Sequence, residues 1–189
     1  MYNNRIFFEY LKVIIKILPI KSICLYNNEL AFFIKLKHIK FVMLFFKNNT
    51  FSQYKSLSSI SGIDYVFNKY RFEINYDLLS ILYNNRIKIK VCLTELQGIP
   101  SCENIFPASG WYECEIWDLF GVFFQQHSNL KRILTDYGFI GNPLRKDFPL
   151  SGFVEIRYCE NEKKIVTNNL EFSQEYRTFN YKSPWDNFI

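Results

Sequence analysis

Apolar positions near the start of the chain recur at spacings of three and four. Phe7, Leu11, Ile14, Ile15 and Leu18 fall on one face of a helix, and Pro19, which cannot continue the helical ladder, ends it. Two apolar runs, Ser22 to Tyr26 and Leu30 to Lys35, flank a polar Asn27-Asn28-Glu29 turn and predict a hairpin. His38 to Phe46 reads as a second, short helix, stopped by Asn48, Asn49 and Thr50. Ser56 to Phe67 reads as an extended segment leading to an exposed turn near Asn68. The clearest strand pair follows. Tyr70 to Tyr83 alternates apolar and polar residues in its first half, and Asn84 and Asn85 tolerate the positive φ of a tight turn. Arg86 to Glu95 alternates again, with Ile87, Ile89, Val91 and Leu93 on one face. Ladder pairing of these runs buries that face and wets the other, so the buried face needs cover.

After Gly98 the pattern changes. Ser101 to Phe106 reads as a helical turn capped by Ser101 and interrupted by Pro107. Trp111 to Phe124 is densely aromatic and carries three acids, and its portion from Glu115 to Phe124 reads as a structural helix. Leu134 to Leu150 has little periodicity but frequent punctuation, at Gly138, Gly141, Pro143 and Pro149. Irregular segments of that length usually serve a function. Phe153 to Phe172 reads as one more strand pair, ahead of an aromatic tail ending near Trp185. The class these elements predict is α+β: a mixed or antiparallel sheet with helices on one side, followed by an extended irregular C-terminal arm. The expected organisation is a globular α+β part over residues 1–110, continuous with residues 111–189, which hold the helix, the arm and the last strands.

Composition narrows the function classes. Apolar residues make up 49% of the chain, with 20 Phe and 13 Tyr, which excludes a wholly disordered protein. Phe, Ile, Asn, Lys and Tyr have AT-rich codons, while Ala occurs only at Ala31 and Ala108, a skew expected of an organelle or AT-rich genome. The net charge of +5 is mild. Lys35, Lys37 and Lys40 alternate with apolar residues and His38 as one solvated face, not as a nucleic-acid stripe. Five cysteines, Cys24, Cys92, Cys102, Cys114 and Cys159, form no C-x-x-C pair, so they read as free thiols in a reducing compartment. No stretch reads as a secretory signal or as the ~20 apolar residues of a membrane span.

Candidate chemistry is sparse. There is no Gly-rich phosphate loop and no Ser/His/Asp grouping, so no catalytic residue is nominated. Glu115 and Asp118 share a helix face from which Glu113 is offset. The reading preferred to acid–base work is charge pairing with Arg132, Arg145 or Lys146, fixing the arm onto the helix. His127 reads as a hydrogen-bonded structural residue, having no second metal ligand at helical spacing. In the arm, Tyr137, Phe139, Leu144 and Phe148 mix with Arg145 and Lys146, the aromatic and arginine types that anchor protein–protein contacts. A loop packed on its own domain is the competing reading.

The run from Trp111 to Tyr158 also carries a resemblance. Glu113, Glu115, Asp118, Leu119 and Phe120, then His127, Lys131, Ile133 and Leu134, follow an acid–acid–acid–apolar–histidine–basic order. It continues through LTDYGF, PLRKDFPLSG and VEIRY. With GIDY, RFEINYDLLS and IFPASGWYE upstream, the chain from Leu44 to Trp185 resembles the respiratory NADH dehydrogenase (complex I) 30-kilodalton subunit family. Cys114, Ser128 and Asn142 depart from it, standing where arginine, proline and histidine are usual. The resemblance implies a structural subunit of the peripheral arm of NADH:ubiquinone oxidoreductase, without flavin, iron–sulfur cluster or other cofactor of its own. It would lie peripherally on the matrix side of the mitochondrial inner membrane, among other peripheral-arm subunits and beside the quinone-site subunit in particular. Glu113, Glu115, Asp118, His127, Arg132, Tyr137, Phe139, Arg145, Lys146 and Phe148 become its expected structural or partner contacts. The rival readings are the homologous subunit of a related quinone oxidoreductase or membrane-bound hydrogenase, and a stand-alone basic binding module.

Overall fold

The computed structural model describes residues 4–26, 29–172, 177 and 179. They form α1 (Asn4–Ile17), β1 (Ile20–Tyr26), β2 (Glu29–Ile34), a 3-10 turn at Leu36–His38, α2 (Ile39–Asn48), β3 (Ser56–Asp64), β4 (Phe72–Ser80) and β5 (Asn85–Leu93). There follow β6 (Ile99–Pro100), α3 (Ser109–Phe120), β7 (Phe124–Gln125), β8 (Val154–Cys159) and β9 (Lys164–Asn169). A five-stranded sheet runs in the order β1-β2-β5-β4-β3. Its β2–β5 pair is parallel and its other pairs antiparallel, so the sheet is mixed. The chain divides into two compact units, one ending at Phe148 and one beginning at Pro149. The first unit runs on through residue 110, and within it α3 packs against β3.

Alternation decides the sheet's two faces. One row of partners crosses four strands, Phe32 to Ile89 to Tyr76 to Ile60, and all four are buried. Leu11 and Ile14 of α1 with Leu18 just after it, Ile39, Val42, Met43 and Phe46 of α2, and Ile116 and Phe120 of α3 join the same apolar cluster. The helices thus cover the face the sequence pattern marks as apolar, while the other face carries Glu29–Lys88 and Glu73–Lys90 ion pairs, each 2.9 Å. Ile15, expected on the buried face of α1, is half exposed, while Leu11, Ile14 and Leu18 are buried; the side chain of Phe7 lies outside the described ones. The short second helix begins and ends slightly later than its pattern suggests, at Ile39 and Asn48.

The third helix departs most from expectation. It starts at Ser109 and ends at Phe120, not at Phe124. Gly121 takes φ +75° and donates its N–H to the Trp117 carbonyl, a left-handed helix stop. Phe124 is thereby freed to pair as β7 with β6. Gly62 on β3 permits α3 to sit close, since a Cβ there would lie 2.9 Å from the Phe120 ring.

The second unit holds the antiparallel β8–β9 hairpin, with Lys163 at φ +49° in its turn and Leu170 N–H donating to the Phe153 carbonyl. The Asn27–Asn28 turn and the aromatic tail near Trp185 lie outside the described residues. Among the described residues, no helix is long and apolar enough to cross a membrane.

Candidate functional site: the acid-anchored arm on α3

Asp118, fully buried on α3, meets the start of the arm. Its Oδ2 accepts the backbone N–H groups of Ile133 (3.1 Å), Leu134 (2.8 Å) and Thr135 (2.9 Å), and its Oδ1 accepts the Thr135 hydroxyl at 2.7 Å. Burial pushes its carboxyl upward, but the bonds from Thr135, Leu134 and Ile133 outweigh that and hold it below the usual carboxylate range. The expected cationic partner is secondary: Arg132 Nε stands 4.0 Å from Oδ1, and its Nη1 donates instead to the Phe139 carbonyl at 2.7 Å. A buried carboxylate with four short donors needs no guanidinium to balance it.

The arm in turn closes the helix C-terminus. A helix leaves its last carbonyls unpaired, and here three consecutive ones receive donors from the arm. Asn142 Nδ2 donates to Asp118 O (2.9 Å), Leu144 N–H to Leu119 O (3.1 Å) and Arg145 Nε to Phe120 O (2.6 Å). The Arg145 cation also sits at the negative end of the helix dipole.

Arg145 then joins a second cluster. Its Nη1 meets Glu95 at 2.6 Å, and Arg71 Nη1 reaches the same carboxylate at 3.4 Å. Arg71 grips Asp64 with two bonds of 2.9 and 3.1 Å and Asp147 at 2.9 Å, while Asp64 also accepts the Lys146 backbone N–H. Both guanidinium groups stand 5.3 Å from the centroid of the Phe72 ring. Burial raises Asp64, but the Arg71 and Lys146 hydrogen bonds prevail and keep it below the ordinary range.

Glu113 occupies a different buried site. Its Oε1 accepts the Cys102 N–H at 2.8 Å, and its Oε2 lies 3.9 Å from His127 Nε2. That nitrogen is 3.1 Å from the Gly110 carbonyl and 3.9 Å from the Cys114 thiol. Burial pushes Glu113 above the usual range despite Ser101, Cys102, Ser109 and His127, and pushes the Cys102 thiol up to about 12.

The structure therefore separates the three acids. Glu113 is buried beside His127, Asp118 is buried under the arm, and Glu115 is only half buried. The charge pairing expected of Glu115 and Asp118 with Arg145 or Lys146 is replaced: Arg145 goes to Glu95 and the Phe120 carbonyl, and Lys146 offers its backbone to Asp64 while its side chain is exposed. Phe139 and Phe148 pack on each other at 5.8 Å, within the arm. Tyr137 is fully exposed and Ile140 nearly so, with Leu134 and Leu144 also outward. Asp64, Arg71, Glu95 and Thr135 are not among the contacts expected from the sequence, and Asn142 stands there only as a departure from the family pattern. Asp64 and Arg71 had a usable signal, opposite charges flanking one β-hairpin turn; the others depend on long-range contacts.

This acid-held arm lies inside the stretch that matches a family model. The model for the respiratory-chain NADH dehydrogenase 30 Kd subunit matches residues 32–154. The chain belongs to that family. NADH-ubiquinone oxidoreductase subunit 9 of Reclinomonas americana is 50% identical over 160 residues, covering 85% of this chain and 78% of the relative. Its counterpart in Prototheca wickerhamii is 45% identical over 161 residues, covering 85% and 84%. NADH dehydrogenase [ubiquinone] iron-sulfur protein 3 of Beta vulgaris is 49% identical over 145 residues, covering 77% and 76%. A chain of the archaeal membrane-bound sulfane sulfur reductase, a respiratory membrane complex, shares the fold at TM-score 0.67 and 22% identity, covering 89% of this chain and 98% of that one.

The name of the Beta vulgaris relative contains the words iron-sulfur, and an iron–sulfur cluster needs thiolate ligands gathered in one place. Among the described residues, no three His, Cys, Asp or Glu side chains gather to hold a metal. Cys24 and Cys92 lie on β1 and β5 with β2 between them, and Cys102 and Cys114 are buried. Cluster ligands are thiolates, and burial works against that form at Cys102. The donor set of the described residues does not fit a cluster held by them alone.

Proposed function

We propose that this subunit is a cofactor-free, non-catalytic positioning element in the peripheral arm of NADH:ubiquinone oxidoreductase, on the matrix side of the mitochondrial inner membrane. Its outward arm residues face the quinone-site subunit. The observation that carries the reading is the two-sided character of residues 133–148. The inner side is bonded to α3 through Asp118 and three helix-end carbonyls and to β3 through Asp64, while the outer side presents Tyr137, Ile140, Leu134 and Leu144 to solvent. A segment already ordered by its own domain loses little entropy on docking, so its apolar outer side is available for a partner. The family membership and the relatives' names support the assembly, and the engagement of Asp118 and Asp64 by backbone donors supports a positional role for them rather than a proton-transferring one.

The test separates assembly from turnover. In the Tyr137→Ala/Ile140→Ala double variant the chain should stay folded, while the amount of assembled complex, measured by native purification and intact mass spectrometry, should fall at least several-fold. Turnover per assembled complex should match the wild type. Wild-type assembly would sink the docking surface, and a loss of turnover per assembled complex would sink the purely positional role.

A further inference from the structure

Among the described residues, the buried side-chain atoms without a hydrogen-bond partner include Glu113 Oε2, Ser109 Oγ and Tyr76 Oη. Ser101 and Ser109 face the Glu113 carboxyl, and Tyr76 is near enough to sense its charge. A buried carboxylate would need several donors or a cation. Glu113 has one firm donor, the Cys102 N–H, and that serves Oε1. Oε2 has only His127 near it, at 3.9 Å.

The imidazole's hydrogen bonds decide its charge. His127 Nδ1 accepts the Asn129 N–H at 3.1 Å, so that nitrogen carries no proton. The proton is on Nε2, aimed at the Gly110 carbonyl 3.1 Å away. His127 is thus a neutral tautomer, engaged elsewhere. The other titratable or charged groups around the site do not supply a cation in contact. Tyr76 on β4 and Cys102 after β6 are buried and neutral. Cys114 on α3 is a thiol turned to His127 and the Asn129 carbonyl. Glu103 binds the Ser128 N–H and hydroxyl at 3.0 and 2.7 Å, and Lys40 on α2 binds Gln126 at 2.6 Å.

We infer that Glu113 is a buried neutral carboxylic acid in the folded subunit, its proton lying on Oε2, the oxygen left without a firm donor. The carboxyl then links α3 to the loop through Ser101 and Cys102. Ionisation leaves a charge in that junction with a single firm donor. The linkage has a definite sign. A group whose folded-state value is raised holds its proton in the fold after the unfolded chain has released it, so its stabilisation is complete below the unfolded value. It is lost as pH rises through the folded value.

The experiment uses the full chain. Carbon-13 spectra of glutamate-labelled protein should show one side-chain carboxyl still protonated at a pH where every other glutamate has ionised, and Glu113→Gln should remove that resonance. Chemical denaturation across the same alkaline-going window should show stability falling with pH in the wild type and flat in Glu113→Gln. Should Glu113→Gln fail to fold, Tyr76→Phe serves in its place: it keeps the carboxyl, and the protonated resonance should change its shift and its titration midpoint. All glutamates titrating together in the ordinary range would overturn the inference, as would a late-titrating resonance that neither variant removes or moves.

Discussion

Asp118 illustrates how one side chain fixes a loop. Its two oxygens take three backbone N–H groups and a hydroxyl, all from Ile133 to Thr135. Asparagine keeps one oxygen for the three N–H groups and can turn its NH2 to the Thr135 hydroxyl, so alanine is the substitution that removes the acceptors. Asp118→Ala should leave the three buried N–H groups without their acceptor and cost about 3 kcal/mol or more, at ~1–3 kcal/mol for each. Denaturant titration of the purified chain measures it. A loss below about 1 kcal/mol would mean that the arm holds its place without this anchor. Charge at position 118 matters less through Arg132, 4.0 Å away.

At the scale of the element, α3 and the arm complete each other. The helix supplies the acid that orders residues 133–135, and residues 142–145 supply donors to the carbonyls of Asp118, Leu119 and Phe120. Gly121 is the hinge of this exchange. At φ +75° it accepts a conformation that costs an L residue about 1–2 kcal/mol, and a Cβ there would lie 2.7 Å from Arg145 Nη2 and 2.8 Å from Asn142 Oδ1. Gly121→Ala should cost more than the backbone strain alone and should detach the arm locally. Hydrogen exchange is the measurement: protection at the Leu144 and Lys146 amides should drop, while amides of β4 and β5 keep theirs. Equal loss throughout would place the damage in the core instead.

For the molecule as a whole, ionisable groups set opposite pH limits. Asp64 and Asp118 are held below the ordinary aspartate value of 3.8, so the folded state keeps them ionised when the unfolded chain would take up protons. Their contribution is fully present above that value and is lost as pH falls through the lowered folded values. Denaturation midpoints should therefore decline below about pH 4, and Asp118→Asn should flatten part of that acid limb. An acid limb of wild-type steepness in the variant would assign it to other carboxylates.

The sequence by itself determined the sheet, because alternation at Ile87, Ile89, Val91 and Leu93 and in the run from Phe72 leaves only one face able to be buried. It also determined the helix-covered α+β class, and the order of residues from Glu113 to Leu134 was enough to indicate the family. The parallel β2–β5 pair was not legible, since register between strands fifty residues apart leaves no local pattern. Nor were the fates of the acids. Glu113, Glu115 and Asp118 look alike in the chain, and helical spacing pairs the wrong two. Only the folded environment distinguishes them. Backbone N–H groups, which every non-proline residue carries and no sequence motif marks, converge on Asp118 in number and leave Glu113 with one. Arg145 turned inward for the same reason: the open carbonyls of a helix end and the Glu95 carboxylate exist at its position only after α3 and the sheet have packed.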